Sequence, residues 1–234
     1  LVSAIRYARD NQRKVICFVT GVPGSGKTLT GLNAVHTPEL LDGSKSIGAF
    51  LSGNVPLVKI VSEALARDQR DTRGVSLKDA RREVNTFIQN VHVFMDFYGK
   101  DQPDQAPCGN VVVFDEAQRA WDAKKAQKKW ARETSEPEMM FQIMDRHDDW
   151  AVIIALVGGG QEIYEGEAGL AEWGHAMSKG YSHWEARVSP QVVCGGVSVA
   201  GSKLFEDRIP EEITVIEEDA LHLAVSVRAC KARN

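Results

Sequence analysis

Eight consecutive residues near the start of the chain have the types and spacing of a phosphate-binding loop: Gly21-Val22-Pro23-Gly24-Ser25-Gly26-Lys27-Thr28. They match G-x-x-x-x-G-K-[ST] and stand between an apolar run that can form a buried strand and a segment that can continue as a helix. Glycines let the backbone wrap around a phosphate with its N–H groups inward, and the helix N-terminus adds partial positive charge. The complete pattern in this context disfavours a chance glycine turn, so we expect a nucleoside triphosphate to bind here.

Two residues of this loop have chemical roles of their own. Lys27 would reach the β- and γ-phosphates, and the Thr28 hydroxyl would ligate Mg²⁺. The other expected contacts of the nucleotide are Gly21, Pro23, Gly24, Ser25 and Gly26.

An acidic pair follows a second apolar run. Asp115 and Glu116 come directly after residues 111–114, which lack the alternation of a half-exposed strand and are typical of a parallel sheet covered on both faces. The carboxyl ends of such strands meet at one edge, so the pair is expected near the phosphate loop. Asp115 would hold Mg²⁺ through water, and Glu116 would polarise the water that attacks the γ-phosphate. The alternative is a solvated acidic turn, which the buried strand before the pair disfavours.

Two polar residues further along the chain are candidates for sensing the γ-phosphate. Gln161 follows the apolar run 151–157 and three glycines. Its amide can donate and accept at once, so it can link a phosphate or a water to a moving element. Arg228 could reach a phosphate from the far rim of the site, and a surface arginine explains it equally well.

The scaffold that must position these residues is predicted to alternate strands and helices. Segments 67–75 and 99–109 are expected to be loops, and from residue 187 onward short strands and loops are expected. This order predicts an α/β fold with a mostly parallel β-sheet and helices on both faces. Apolar runs predict strands at 15–19, 47–51, 91–94, 111–114 and 151–157, and helical periodicity predicts helices at 29–36, 57–65 and 170–178 and after Ser76 and Ser135.

Composition excludes several classes of protein. No apolar run is long enough to span a bilayer, and the four cysteines have no spacing typical of zinc sites or disulfide frameworks. A reducing cytoplasm fits best, and the net charge of −4 does not exclude a nucleic-acid partner. We expect one lobe over residues 1–234, with a helix and connector at 1–14 and the C-terminal part of the lobe at 187–234. Both ends of the chain interrupt a pattern, and we expect it to be part of a longer polypeptide.

A basic stretch follows the acidic pair and contains two tryptophans. Basic side chains with aromatic rings between them can hold a nucleic-acid backbone and stack bases, which makes Lys124 and Lys128 candidate contacts. A solvated helix with its tryptophans in the core is the plainer interpretation, and we favour it. The residues concerned are Arg119, Trp121, Lys124, Lys125, Lys128, Lys129, Trp130 and Arg132.

These segments occur in the order of superfamily 1 helicase motifs. Residues 21–28, 113–121, 157–167 and 221–228 resemble motifs I, II, III and IV, and residues 52–57 occupy the place of motif Ia. Over residues 15–230 the chain is similar to the Schlafen group 3 family of DNA/RNA helicase domains. The pairing of Asp-Glu-Ala-Gln-Arg-Ala-Trp with Gly-Gly-Gly-Gln-Glu-Ile is a specific part of the resemblance.

The resemblance implies a RecA-like P-loop lobe that hydrolyses ATP with Mg²⁺, coupled to single-stranded DNA or RNA and to a second RecA-like lobe of the same longer chain. The roles that it implies for single residues are phosphate and Mg²⁺ binding for Lys27 and Thr28, metal and water for Asp115 and Glu116, γ-phosphate sensing for Gln161 and Arg228, and contact with a single strand for Asn54.

The chain departs from the family pattern in two ways. Motif III commonly has an Asp two residues before its Gln, and Gly159 stands there. Motifs V and VI, which belong to the second lobe, are missing. Because that lobe usually supplies an arginine finger worth roughly 10³–10⁵ in rate, we expect weak or no hydrolysis and no unwinding by these residues alone.

The leading hypothesis is therefore the motor lobe of a DNA/RNA helicase or translocase. A nucleotide-driven switch that acts on proteins without nucleic acid is the first alternative. A small-molecule kinase is the second, disfavoured because Asp115-Glu116-Ala117-Gln118 and Gln161 suit water activation better than transfer to a bound acceptor. The choice between DNA and RNA stays open, as does base preference, for which Asn11 or Gln12 could serve.

Overall fold

The computed structural model describes residues 1–36, 47–159, 169–206 and 208–226. Its eight strands form one sheet in which every pairing is parallel. Their order across the sheet is β3-β2-β4-β5-β1-β6-β7, and β8 pairs with the carboxyl end of β1. The strands are β1 Lys14–Gly21, β2 Gly48–Ser52, β3 Ile88–Asn90, β4 Val111–Phe114, β5 Ala151–Leu156, β6 Glu185–Val188, β7 Val215–Glu217 and β8 His222–Leu223.

Helices cover both faces of this sheet. The first four pack on one face, and α5, α7, α8 and α9 pack on the other. No helix in the described part of the chain is long and apolar enough to cross a membrane. The helices are α1 Val2–Asp10, α2 Lys27–His36, α3 Val55–Arg73, α4 Leu77–Phe87, α5 Val91–Asp96, α6 Ala123–Trp130, α7 Glu136–Met144, α8 Ala171–Gly180 and α9 Pro190–Cys194.

Strand β1 shows why the central strands are apolar without alternation. Ile16 and Phe18 belong to the core under α8, whereas Val15 and Cys17 belong to the core under α1 and α2. Both faces of the strand are therefore buried, which a parallel sheet between two helical layers requires. The predicted α/β class, with helices on both faces of a parallel sheet, is confirmed.

Strand order brings the two motifs together. Strand β5 lies between β4 and β1, with Phe114 opposite Ala155 and Val19 opposite Leu156. All three strands end at the same edge, so the phosphate loop after β1 and the acidic pair after β4 flank the end of β5.

The predicted loop at 67–75 is wrong, because α3 continues to Arg73. Gly74 ends the helix in the left-handed region, with a φ of 68°, and its N–H donates to the carbonyl of Arg70. The charged residues that suggested a loop lie on the solvent side of this helix, where Arg67 pairs with Glu63 at 2.8 Å.

The predicted strand at 91–94 is also wrong, since these residues begin α5 and the strand lies just before them at Ile88–Asn90. The Asn90 side chain accepts from the N–H groups of His92 and Val93 and so starts the helix. Further along the chain, α9 occupies part of the region where short strands were expected. The buried residues of α5 have helical spacing: Val91, Phe94 and Met95.

Candidate functional site

The phosphate loop joins the end of β1 to the start of α2 at Lys27. Gly24 and Gly26 have φ angles of 76° and 94°, in the left-handed region that favours glycine. A Cβ on Gly26 would meet no atom within 4 Å, so backbone conformation and not crowding requires glycine there. The loop is open to solvent at this point, as a loop that receives a ligand must be.

Lys27 lies across the mouth of this loop. Its Nζ donates to the carbonyl of Gly21 at 2.8 Å and to that of Val22 at 3.5 Å. Burial lowers the pKa of Lys27, and the carboxylates of Glu116 and Asp115 oppose this shift. The ammonium is thus held at the loop by two backbone carbonyls, whose place phosphate oxygens would take when a nucleotide binds.

Ser25 offers a test of whether the loop fits a phosphate. Its side chain is only 9% exposed, and its Oγ has no hydrogen-bond partner among the described residues. A buried hydroxyl without a partner costs free energy unless a ligand or water satisfies it. Together with the open Gly26 and the ammonium of Lys27, this hydroxyl fits an anionic oxygen of a nucleotide.

Asp115 meets two hydroxyl groups. Thr28 Oγ1 donates to its Oδ1 at 3.4 Å, and Ser52 Oγ donates to its Oδ2 at 3.3 Å. Burial, together with the charge of Glu116, raises the pKa of Asp115 to about 6. Hydroxyl and carboxylate oxygens are the ligands that Mg²⁺ prefers beside phosphate oxygens, so Thr28 and Asp115 fit that ion.

The described residues contain no group of three or more His, Cys, Asp or Glu side chains that could hold a metal by themselves. A Mg²⁺ ion bound mainly through substrate phosphates does not need such a group. Ser52 was not among the predicted site residues. The clue to it was its position at the end of β2, which pairs with β4 and places Leu51 opposite Phe114.

Glu116 lies at the start of the turn after β4. Its φ of 55° places a residue other than glycine in the left-handed region, which is rare and marks a constrained position. Gln118, which was also not predicted as a site residue, donates from Nε2 to Glu116 Oε2 at 2.5 Å. Its Oε1 accepts from the N–H of Gly158 at 2.8 Å. The carboxylate is therefore held by a side chain that also contacts the end of β5.

Strand β8 holds the phosphate loop from the other side. The carbonyl of Leu223 accepts from the N–H of Val22 at 3.1 Å. A Cβ on Gly21 would lie 2.7 Å from that same carbonyl oxygen, so Gly21 is needed for this close approach. His222 Nδ1 lies 2.9 Å from Thr20 Oγ1, which adds a side-chain contact to the backbone pairing.

Gln161 and Arg228 lie outside the described residues, so their predicted roles stay predictions. Crowding explains why a glycine stands at position 159, where the family pattern has an Asp. A Cβ on Gly159 would lie 2.4 Å from the carbonyl oxygen of Ser198, and no larger residue fits without moving that backbone.

The candidate nucleic-acid contacts fall in two places. Asn54 is exposed and caps α3, accepting from the N–H of Leu57 at 3.2 Å. Lys124 and Lys128 are exposed on α6, four residues apart and so on one face. Arg132, in contrast, is buried and lies 3.0 Å from Asp96, so the basic stretch does not form one continuous solvated face.

A cleft of about 570 Å³ has both the acidic pair and Asn54 in its lining. Trp121 forms part of its wall. The centroid of the Trp121 ring lies 4.5 Å from that of the His92 ring and 5.0 Å from the Nζ of Lys125. Lys124 and Lys128 do not line the cleft. Its lining includes Ser52, Asn54, Pro56, His92, Asp115, Glu116, Arg119, Trp121, Lys125 and Glu136.

Comparison with known proteins matches residues 14–234 to a family model described as Schlafen group 3, DNA/RNA helicase domain. This match confirms the predicted resemblance to that family. The crystal structure of the Pyrococcus furiosus Hef helicase domain is similar with 15% identity and a TM-score of 0.42, over 84% of this chain. The chain spans 38% of the length of that one. No curated protein matches the chain at a significant level.

Proposed function

Because this chain belongs to the Schlafen group 3 DNA/RNA helicase domain family, we propose that it is the ATP-binding and ATP-hydrolysing motor lobe of a helicase or translocase. One observation carries the proposal: Thr28 of the phosphate loop donates to Asp115 of the acidic pair, 87 residues away in the sequence. A solvated acidic turn would not be buried against that loop. Asp115 is 4% exposed.

In the proposed mechanism the loop N–H groups and Lys27 bind the β- and γ-phosphates. Thr28 and Asp115 would hold Mg²⁺, which would supply positive charge beside the phosphate oxygens when bound. Glu116 orients the attacking water and accepts its proton. Gln161 and Arg228 sense the γ-phosphate, as the family resemblance implies.

The nucleic-acid part of the proposal depends on the cleft and on α6. Trp121 offers an aromatic face, and Arg119 and Lys125 supply positive charge in the cleft that also contains Asn54. Lys124 and Lys128 add exposed charge along α6. A single strand that passes over this edge would bring its backbone close to the groups that hydrolyse ATP, so that grip and hydrolysis can be coupled.

We also propose that a second RecA-like lobe completes the site with an arginine finger. Among the described residues, Lys27 is the cation that we propose for phosphate binding. An added arginine finger raises phosphoryl-transfer rates by roughly 10³–10⁵ in related systems. Closure of the two lobes around ATP would then shift the grip on the strand.

The test is ATP turnover by the intact protein, with and without single-stranded DNA and single-stranded RNA, at two salt concentrations. Glu116→Gln removes the proposed base, and Glu133→Gln, at an exposed position, is the matched control. We expect turnover that a polymer stimulates, that salt suppresses and that only Glu116→Gln abolishes.

Two other results would contradict this function. Turnover that needs Glu116 but ignores both polymers would favour the switch that acts on proteins. A phosphorylated metabolite as the product would favour the kinase.

A further inference from the structure

Strand β8 has only two residues, and both meet the end of β1 where the phosphate loop begins. The carbonyl of Leu223 accepts from the N–H of Val22 at 3.1 Å and leaves no room for a Cβ on Gly21. His222 lies opposite Thr20, the residue before that glycine. The position of β8 is therefore linked directly to the backbone that is proposed to surround the phosphates.

A strand of two residues has too little backbone pairing to fix its own register. A shift by one residue would turn the side chain of His222 to the other face of the sheet. It would also move the carbonyl of Leu223 away from the phosphate loop. The side-chain contacts of His222 are the features that distinguish the observed register from a shifted one.

The tautomer of His222 follows from the orientation of the Gln191 side chain on α9. Oε1 of Gln191 accepts from the backbone N–H of Ser198 at 2.9 Å, so the amide has a defined orientation. Its Nε2, which can only donate, lies 3.3 Å from Nε2 of His222. Nε2 of the imidazole must therefore accept, and in the neutral ring the proton lies on Nδ1.

The proton on Nδ1 extends the hydrogen bonds of His222 into β1. Nδ1 lies 2.9 Å from Oγ1 of Thr20 and donates to it. The Thr20 hydroxyl then has its own proton for Ser189, whose Oγ lies at 2.6 Å. Ser189 immediately precedes α9, where a serine usually caps the helix, but its side chain makes no capping bond to that described helix and meets Thr20 instead. Both hydroxyl residues are fully buried.

We propose that His222 is a positioning residue that fixes the register of β8 against Thr20 and so holds the phosphate loop in the shape that binds nucleotide. The inference rests on the proposed function and adds a residue outside the phosphate loop and the acidic pair. With β8 in this register, Val22 is held through its N–H, and the carbonyl of Gly21 accepts from Lys27 Nζ at 2.8 Å. In a shifted register the loop would spend part of its time in other shapes, and apparent affinity falls with the fraction of competent protein.

The first test removes both ring nitrogens and keeps an aromatic ring. His222→Phe can neither donate to Thr20 nor accept from Gln191, and it leaves their buried polar groups without this partner. In the intact protein we expect affinity for a non-hydrolysable ATP analogue to fall by about 10-fold, because the loop would hold its binding shape for roughly a tenth of the time. ADP should weaken equally, since its phosphates would meet the same loop. His175→Phe, at an exposed position of α8, is the matched control.

The second test separates the two ring nitrogens. In His222→Asn the amide nitrogen can take the place of Nδ1 and donate to Thr20, whereas in His222→Gln the amide oxygen can take the place of Nε2 and accept from Gln191. Because the contact with Thr20 joins β8 to β1, we expect His222→Asn to restore affinity to within about threefold of wild type. His222→Gln should bind as weakly as His222→Phe. The reverse order would overturn Thr20 as the partner that fixes the register.

The third test approaches the same contact from β1. Thr20→Val keeps the shape of the side chain and removes the hydroxyl between His222 and Ser189. It should weaken nucleotide binding as much as His222→Phe does, and the double variant should weaken it no further, because all three lose one shared contact. Thr214→Val, at an exposed position just before β7, is the matched control. Losses that multiply in the double variant would overturn the shared contact.

Two further measurements distinguish positioning from a general loss of stability. Urea unfolding without nucleotide identifies conditions in which every variant is folded, and affinities are compared only there. Hydrogen exchange of the Val22 N–H, which donates to Leu223, should become faster in His222→Phe, while the amides of β5 stay unchanged. Equal protection of Val22 in both proteins would overturn the control of the loop by His222.

The outcomes separate this inference from the function on which it rests. Unchanged affinity in His222→Phe and Thr20→Val overturns the role of His222 alone, even where both variants unfold at lower urea. A loss confined to the ATP analogue also overturns it, because the affected group would then serve the γ-phosphate and not the loop. Wild-type protein that binds nucleotide but turns over no ATP, with either polymer present, contradicts the proposed function, and the affinities still decide on His222. Wild-type protein that binds neither nucleotide contradicts both.

Discussion

Two carboxylates of the chain lie in opposite environments, one at the carboxyl edge of the sheet and one on the surface of the α3–α4 pair. Glu63 on α3 is hydrogen-bonded by Arg81 and Arg67, which lower its pKa to about 2. Burial and the charge of Glu116 raise the pKa of Asp115 to about 6. The surface carboxylate is already neutralised by its arginines, whereas Asp115 is buried beside another acid and two hydroxyls. A buried carboxylate of this kind fits the cation that we propose for it, whereas the surface carboxylate already has two cationic partners.

The largest expected difference between the two regions is the effect on ATP turnover of replacing each acid by its amide. Asp115→Asn removes a charge from the proposed Mg²⁺ site, and we expect kcat for ATP to fall by roughly 10³-fold. Glu63→Gln removes a charge from an exposed ion pair and should leave turnover unchanged. Turnover assays across a Mg²⁺ titration check both variants. Equal activity of wild-type protein and Asp115→Asn would contradict the assigned metal site.

The two acids should also give opposite slopes of stability against pH. In EDTA, the raised pKa of Asp115 means that the folded protein holds a proton longer than the unfolded chain, whose value is near 3.8. Protonated Asp115 therefore contributes roughly 3 kcal/mol to the free energy of unfolding below about pH 4. This contribution is lost as the pH rises through 6. The lowered pKa of Glu63 makes its contribution present above about 4.5 and lost as the pH falls toward 2.

Urea unfolding between pH 3 and 8 measures these slopes. Asp115→Asn should flatten the curve between pH 4 and 6, and Glu63→Gln should flatten it only below 4.5. Because Mg²⁺ favours the ionised carboxylate, its binding should weaken as the pH falls below 6. A slope near pH 5 that survives in Asp115→Asn would assign it to another group.

The same two regions can be compared through one glycine in each, because both glycines have a left-handed backbone conformation. Gly26 in the phosphate loop and Gly74 after α3 both have positive φ, at 94° and 68°, and a Cβ on either meets no atom within 4 Å. Alanine at either position should cost about 1–2 kcal/mol of unfolding free energy, because both require the left-handed region. Only Gly26→Ala should weaken ATP-analogue binding as well, as its methyl group enters the space assigned to phosphate. Equal binding losses would mean that the effect is one of stability.

The smallest expected effect concerns surface charge. Lys124→Ala with Lys128→Ala should weaken single-strand binding a few-fold and lower the slope of log affinity against log salt by roughly 1.4. Lys78→Ala with Arg82→Ala, also four residues apart but on α4, should leave that slope unchanged. Binding titrations at four salt concentrations provide the comparison. An unchanged slope in the α6 variant would mean that Lys124 and Lys128 do not contact the nucleic acid.

Much of the candidate site follows from the sequence, for a physical reason. A glycine pattern between a strand and a helix, and an acidic pair after an apolar strand, are local features that a parallel sheet must bring to one edge. The contact between Thr28 and Asp115 was predictable in this way. Ser52 was not recognised, because its approach to Asp115 requires knowing that β2 and β4 are neighbours.

Two of the errors in the elements have a common origin. Residues 91–94 are a short apolar run, which periodicity cannot assign to a strand or a helix without knowing what covers it. Residues 67–73 are charged, and charge does not distinguish a loop from a helix that lies on the surface. In both cases packing decided: α5 buries Phe94 and Met95 against the sheet, and α3 pairs with α4.

The phosphate loop, the acidic pair, the parallel sheet and the family were all predictable from the amino-acid sequence, because each depends on residue types at short spacing. Which polar groups meet across strands became known only from the folded chain. Gln118 reaches Gly158, and Leu223 reaches Val22, through contacts between residues 40 or more apart. Such contacts depend on strand order and register, which are set by the burial of the whole sheet and leave no periodic signal in any single segment.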